Sequence, residues 1–249
     1  MKILFLGTGT SNGVPQLCCD CEVCTSSDPR DTRLRSSVLI SEGGRNVLID
    51  CGPDFRQQML VHHVRSLRAI LLTHEHYDHV AGLDDVRSYH AVDAYAEQRV
   101  NDTLLRTMHY SFAANKYPGV PDIKLHEIVE NVPFTAADFS FTPLRVMHAQ
   151  LPVMGFRTGS FAYLTDLKTL PEESLDQLAG LDVLVLGTLR FAPHFSHLMV
   201  DESLELIRRL EPKQTFFTHI SHAMGRHADV EKRLPAGVAL AYDGLEIEI

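Results

Sequence analysis

The chain has 249 residues, 45% of them hydrophobic and 22% charged, and 32 acidic against 23 basic side chains give a formal net charge of −9. That is enough apolar material for a sizeable core within one α/β domain spanning residues 1–249, and the acidic balance argues against broad non-specific binding to a nucleic-acid backbone. No apolar run approaches the roughly 20 residues that span a bilayer, so no membrane partner is expected and a cytoplasmic location is.

The first element is a strand, Lys2–Leu6. Glycine interrupts MKILFLGTGTSNG early and no small-residue cleavage site follows, so this is not a signal peptide. Four of the five cysteines then fall within seven positions, Cys18, Cys19, Cys21 and Cys24. A cluster that tight cannot staple distant parts of a fold, and in an intracellular chain it points to a metal. Further strands are expected at Ser37–Ile40, Asn46–Ile49 and Ala69–Thr73, with a helix at Phe55–His62 and Cys51 as a small buried apolar residue. Helical patterns follow at Asp84–Asn101 and Asn101–Ser111. The stretch Asp84–Pro133 is the least regular, and it reads as an insertion (84–133) near the active site. Strands resume at Phe139–Val146, Ser160–Thr165, Val183–Leu186, Thr215–Thr218 and Val238–Tyr242, with helices at Glu172–Leu178, Asp201–Leu210 and Ala228–Leu234. Leu204, Ile207 and Leu210 take core-facing spacing on the helix that Asp201 and Glu202 open. No internal repeat is evident.

The chemistry gathers at strand ends. In Ile70-Leu-Leu-Thr-His74-Glu-His76-Tyr-Asp78-His79 four metal-ligating side chains follow a buried strand within six residues. Imidazole and carboxylate together suit zinc, manganese or iron. Three later strands each end on one such side chain: His148, Asp166 and His219. A lone histidine after a strand is usually just hydrogen-bonded. Seven together match the need of two adjacent metals sharing a carboxylate. Cys19-x-Cys21-x-x-Cys24 offers three thiolates of a second site, and His222, three residues after His219, offers the fourth ligand that a closed structural zinc needs. By spacing alone, Cys18 competes with Cys19.

His74-x-His76-x-Asp78-His79 with His148, Asp166 and His219 resembles the metallo-β-lactamase superfamily signature. The resemblance runs from Gly7-Thr-Gly9 to the final Tyr242-Asp-Gly-Leu-Glu-Ile. It implies an α/β fold, the αββα sandwich of two central mixed β-sheets flanked by helices. It also implies that His74, His76 and His148 hold one metal, that Asp78, His79 and His219 hold the other, and that Asp166 bridges them. Asp50, ending Val47-Leu-Ile-Asp50, matches the family's first motif and would orient a ligand histidine. The Cys19, Cys21, Cys24 and His222 zinc beside a dinuclear site is similar to the PhnP-type phosphodiesterases. In that branch two divalent catalytic ions, Zn²⁺ or Mn²⁺, and one structural Zn²⁺ would serve cleavage of a small cyclic or linear phosphodiester through a metal-bridging hydroxide.

Asp78 and Asp166 would act as catalytic ligands, and His197 aligns with the general acid of that branch, with His194 as its competitor. Arg33 and Arg35 could bind a substrate phosphate or lie in a solvated loop. His62, His63, His90, His109, His126 and His227 fit no ligand pattern. A homodimer is implied by resemblance alone, and a nucleic-acid partner is not expected. The same constellation leaves PqqB-like, tRNase Z-like, thioesterase or lactamase chemistry open, as well as a non-catalytic metal-binding or sensing protein.

Overall fold

The computed structural model describes residues Met1–Ile249. The N-terminal half supplies strands β1 (Lys2–Gly7), β2 (Ser37–Glu42), β3 (Arg45–Ile49), β4 (Ala69–Leu71), β5 (Val92–Ala96) and β6 (Ile123–Glu127). The C-terminal half supplies β7 (Phe134–Ala136), β8 (Phe139–His148), β9 (Leu151–Thr158), β10 (Phe161–Leu164), β11 (Val183–Arg190), β12 (Leu198–Met199), β13 (Gln214–Thr218) and β14 (Val238–Leu240). A last strand, β15 (Glu246–Glu248), returns to pair antiparallel with β1.

These strands form two mixed sheets, in the orders β15-β1-β2-β3-β4-β5-β6 and β14-β13-β11-β10-β9-β8-β7, with β12 alongside β11. Each half repeats one plan. β1–β2–β3 pair antiparallel, and β4, β5 and β6 continue in parallel. β8–β9–β10 likewise pair antiparallel, and β11, β13 and β14 continue in parallel. No repeat is visible in the residues; it lies in the strand pattern.

Alternation along the strands sorts the core into layers. Ile3, Phe5, Val47 and Ile49 face Phe141, Phe156, Tyr163 and Val185 between the sheets. Leu6, Leu48 and Ile70 point outward, under helices α1 (Phe55–Val61) and α3 (Gln98–Thr107), which lie either side of the short α2 (Tyr77–Val80). On the other side, Leu184, Leu186 and Phe217 pack beneath α6 (Val200–Leu210) and α7 (His227–Glu231). The short α4 (His109–Phe112) and α5 (Glu172–Asp176) complete the helices. Helix, sheet, sheet and helix stack as the expected αββα sandwich.

The 84–133 segment departs from its reading. It is no insertion over the core, because it supplies β5 and β6 of the first sheet. The Asp84–Asn101 helix is a 3₁₀ helix at Ala81–Ser88, then β5, then the start of α3. Val92, Ala94 and Ala96 are buried at every second position, a strand period that small alanines concealed behind their helix propensity. Strands β6, β7, β9, β12 and β15 were also not anticipated.

Candidate metal centre

The candidate ligands of the dinuclear pattern, and Asp50 behind them, sit where strands stop. Asp50 follows β3, His74–His79 follow β4, His148 ends β8, Asp166 follows β10 and His219 follows β13. Asp50, Asp166 and His219 adopt left-handed backbone, with φ of 62°, 46° and 57°. Non-glycine residues rarely take that region, and such strain gathers at functional sites. Glycine lets the chain close behind the cluster: a Cβ on Gly52 would strike the carbonyl oxygen of Asp78, and one on Gly82 would strike that of Gly52.

Two groups of ligand atoms result. Asp78, His79, Asp166 and His219 present one atom each within 4.8 Å of one another, and His74, His76 and Asp166 do the same. Asp166 belongs to both. Its Oδ2 lies 3.1 Å from the Nε2 atoms of His74 and His79, and its Oδ1 lies 2.8 Å from Nε2 of His219. His148 stands beside the second group, its ring 5.5 Å from that of His76.

The far side of three of the imidazoles is anchored. Nδ1 of His79 donates to Asp50 at 2.6 Å, and Asp50 also accepts from the backbone N–H and hydroxyl of Thr73. Nδ1 of His74 donates to Oγ1 of Thr73 at 2.9 Å, and Nδ1 of His148 donates to the Ser196 carbonyl at 2.9 Å. The inward atoms lack partners: Nε2 of His74, His79 and His219 and Oδ1 of Asp166 are buried with no hydrogen bond. Buried polar atoms are almost always satisfied, and convergent imidazole lone pairs around carboxylates are what a divalent cation would satisfy. Burial alone would raise Asp166, yet the imidazoles of His219 and His79 hold it well below the usual carboxylate range.

The cysteine loop folds onto the same wall. The Sγ atoms of Cys19, Cys21 and Cys24 lie 3.2, 3.5 and 3.5 Å from Nδ1 of His222. A tetrahedral zinc with ordinary Zn–S and Zn–N bonds sets such edges at about 3.5 Å. Cys18 is exposed outside this group. A backbone N–H from Cys24 helps hold the Cys21 thiol down at about 6, the thiolate form a metal takes. The loop and the His219 turn are also stitched by backbone: Thr10 N–H donates to the Ile220 carbonyl and Ile220 N–H to that of Thr8.

His197 lies over the centre, its ring 4.4 Å from His148 and 5.0 Å from His219. Its Nδ1 is 3.8 Å from Oδ1 of Asp166. His194 stands one ring farther out, 5.0 Å from His197. Burial first, then His219, pushes His197 down to about 3, so it is neutral at pH 7 in the free protein.

Neither arginine is free for a substrate. Arg33 is buried, bonded to Oγ1 of Thr8 at 2.8 Å, the Ala241 carbonyl at 2.5 Å and Nδ1 of His227 at 3.1 Å. Arg35 binds Asp54 and the Ser11 carbonyl. His227, given no role from the sequence, is thus part of a buried polar network. Sequence reasoning also missed Thr73 and the Ser196 carbonyl as anchors. Thr73 had a signal, standing next to the first ligand at a strand end; a backbone carbonyl has none.

A family profile described as "Beta-lactamase superfamily domain" matches residues 45–220. A solved structure described as a new diphosphatase from the PhnP family is 40% identical, covering 100% of this chain and 97% of that one with a TM-score of 0.92. The Zn²⁺-bound PqqB of Methylobacterium extorquens aligns over 100% of both chains at 23% identity and a TM-score of 0.83, a likeness of fold. An octanoyltransferase of Porphyromonas gingivalis is 42% identical over 99% of this chain, which spans 51% of that relative's length.

Proposed function

The chain belongs to the β-lactamase superfamily, within its PhnP family, and from that membership we propose that it is a dinuclear metal-dependent phosphodiesterase acting on a small cyclic or linear diester. The observation that carries this reading is Asp166, one buried carboxylate shared by two groups of ligand atoms. His74, His76, His148 and Asp166 would hold one divalent ion, and Asp78, His79, His219 and Asp166 the other. Cys19, Cys21, Cys24 and His222 would hold a structural zinc. When bound, a pair of ions lowers the pKa of a shared water and neutralises charge on a phosphate.

The protein's own side chains do the rest. Asp50 and Thr73 fix the tautomers of His79 and His74, so that Nε2 of each faces inward. His197 stands over the centre, within reach of a leaving-group oxygen, and an anionic phosphate is the charge that would restore its proton for donation. The acidic balance of the chain and the engagement of Arg33 and Arg35 by protein partners support a small ester over a nucleic acid. We place the protein in the cytoplasm, consistent with its unpaired cysteines.

A second reading, hydrolysis of a phosphoanhydride, is favoured by the diphosphatase relative. Octanoyl transfer is not proposed, because that relative is about twice as long. The test is turnover of bis(p-nitrophenyl) phosphate and of ADP by metal-analysed protein, beside Asp166→Ala and His197→Ala. We expect diester cleavage that disappears without Asp166 and falls about 10²-fold or more without His197. Cleavage of ADP alone would select the anhydride reading, and turnover of neither by fully metallated protein would overturn both.

A further inference from the structure

A groove separates α1 from the 3₁₀ helix Ala81–Ser88, enclosing about 460 Å³, a volume in the range of small-molecule sites. Its floor is apolar. Phe55 and Tyr89 meet at 6.0 Å between ring centroids, tilted by 60°, and Met59 is buried beside them. The Tyr89 hydroxyl donates to the Val64 carbonyl at 2.9 Å, so that residue offers its ring. Arg56 and Arg65 line the rim, both exposed, and neither guanidinium has a carboxylate within 4.0 Å. Asp85 is the only acid lining the groove. In a chain of net charge −9, this is a locally cationic mouth over an aromatic floor.

We propose that this groove is a binding site for a small amphipathic organic anion, an apolar body bearing one carboxylate, sulfonate or phosphate. Charge complementarity fixes the head: two free guanidiniums offer planar, forked donors that match such groups. The floor fixes the body, since a neutral polar ligand would gain nothing from covering Phe55, Met59 and the Tyr89 ring. It is not the substrate site, for no residue of the groove belongs to the metal groups. Its walls nonetheless hang from them. α1 begins five residues after Asp50, the 3₁₀ helix begins two after His79, and Gly52 and Gly82 pack the two segments together. This inference stands independently of which bond the metal centre cleaves.

The experiment is fluorescence titration of the fully metallated protein with 8-anilinonaphthalene-1-sulfonate, an anion of that class, followed by competition with decanoate. We expect saturable binding of one dye per chain, displaced by decanoate. Affinity should weaken at least tenfold in the Arg56→Gln, Arg65→Gln double variant and recover only in part in the double lysine variant, which keeps the charge without the fork. Leu60→Glu, at a residue 58% exposed and so without consequence for folding, sets a negative charge on the same rim and should weaken binding similarly. Dye binding that none of these changes moves, or that inorganic phosphate alone displaces, would overturn the proposal.

Discussion

Asp50 makes no entry in either group of converging ligand atoms, yet its carboxylate accepts from His79, from the Thr73 hydroxyl and from the Thr73 backbone. Its influence runs through His79. Replacing it with asparagine keeps the shape but removes the negative charge that orients the imidazole, so affinity for the metal at the Asp78, His79 and His219 group should fall about 10–100-fold. Metal analysis after dialysis against a weak chelator reads this directly; metal retention by Asp50→Asn equal to that of wild type would exclude the role. His227 makes a different prediction. Burial, and then the Arg33 guanidinium whose hydrogen bond it accepts, push its pKa down to about 4 from the ordinary 6.5. The folded state therefore favours neutral His227. That contribution is fully present above pH 6.5 and is lost as pH falls through 4. The melting temperature should drop across this window more steeply for wild type than for His227→Gln, and parallel curves would refute the assignment.

At the scale of elements, the strands most legible in the sequence were those buried on both faces. Val47–Ile49, Ile70–Leu72 and Val183–Leu186 are continuous apolar runs, and each leads to chemistry at its end. β5 and β6 were lost because Val-Asp-Ala-Tyr-Ala and Ile-Lys-Leu-His-Glu carry small or charged residues on the alternate positions, and neither ends in a ligand. The site was more legible than the fold around it. Ligand types at strand ends are local signals, whereas the anchors, a threonine hydroxyl and a backbone carbonyl, depend on tertiary approach. Cys19 and Cys18 were undecided by spacing, and only the path of the loop brings Cys19 to His222. That loop bears on the other ligand groups through the His219–His222 turn and its backbone bonds to Thr8 and Thr10. Cys21→Ser should accordingly lower metal occupancy at the His219 group as well as abolish zinc binding by the proposed cysteine group. Amide exchange at Ile220 should also rise, and unchanged exchange there would separate the two sites.

For the molecule as a whole, the repeated strand plan decides where the centre lies. Each half ends its antiparallel trio with an aspartate in left-handed backbone, Asp50 after β3 and Asp166 after β10. The parallel strand that follows β3 carries the histidine-rich loop, and the one that follows β10 leads to His194 and His197. The centre is assembled where these two equivalent edges face each other. This arrangement was invisible in the residues because the halves share strand order and direction rather than sequence.

Every one of the three ligand groups straddles the join between the halves: Asp78 and His79 with His219, His74 and His76 with His148, and Cys19, Cys21 and Cys24 with His222, while Asp166 reaches across to both of the first two. Bound ions would thus be rivets, and rivets obey reciprocity: each strengthens the seam by as much free energy as parting the seam subtracts from its own affinity. An ion present at 100 times its dissociation constant adds about 2.7 kcal/mol to unfolding. Urea denaturation before and after exhaustive chelation should therefore differ by several kcal/mol, and identical midpoints would show that the halves hold together without them. A substitution that loosened that seam enough to populate its open form would be read as weaker metal retention as well as lower stability.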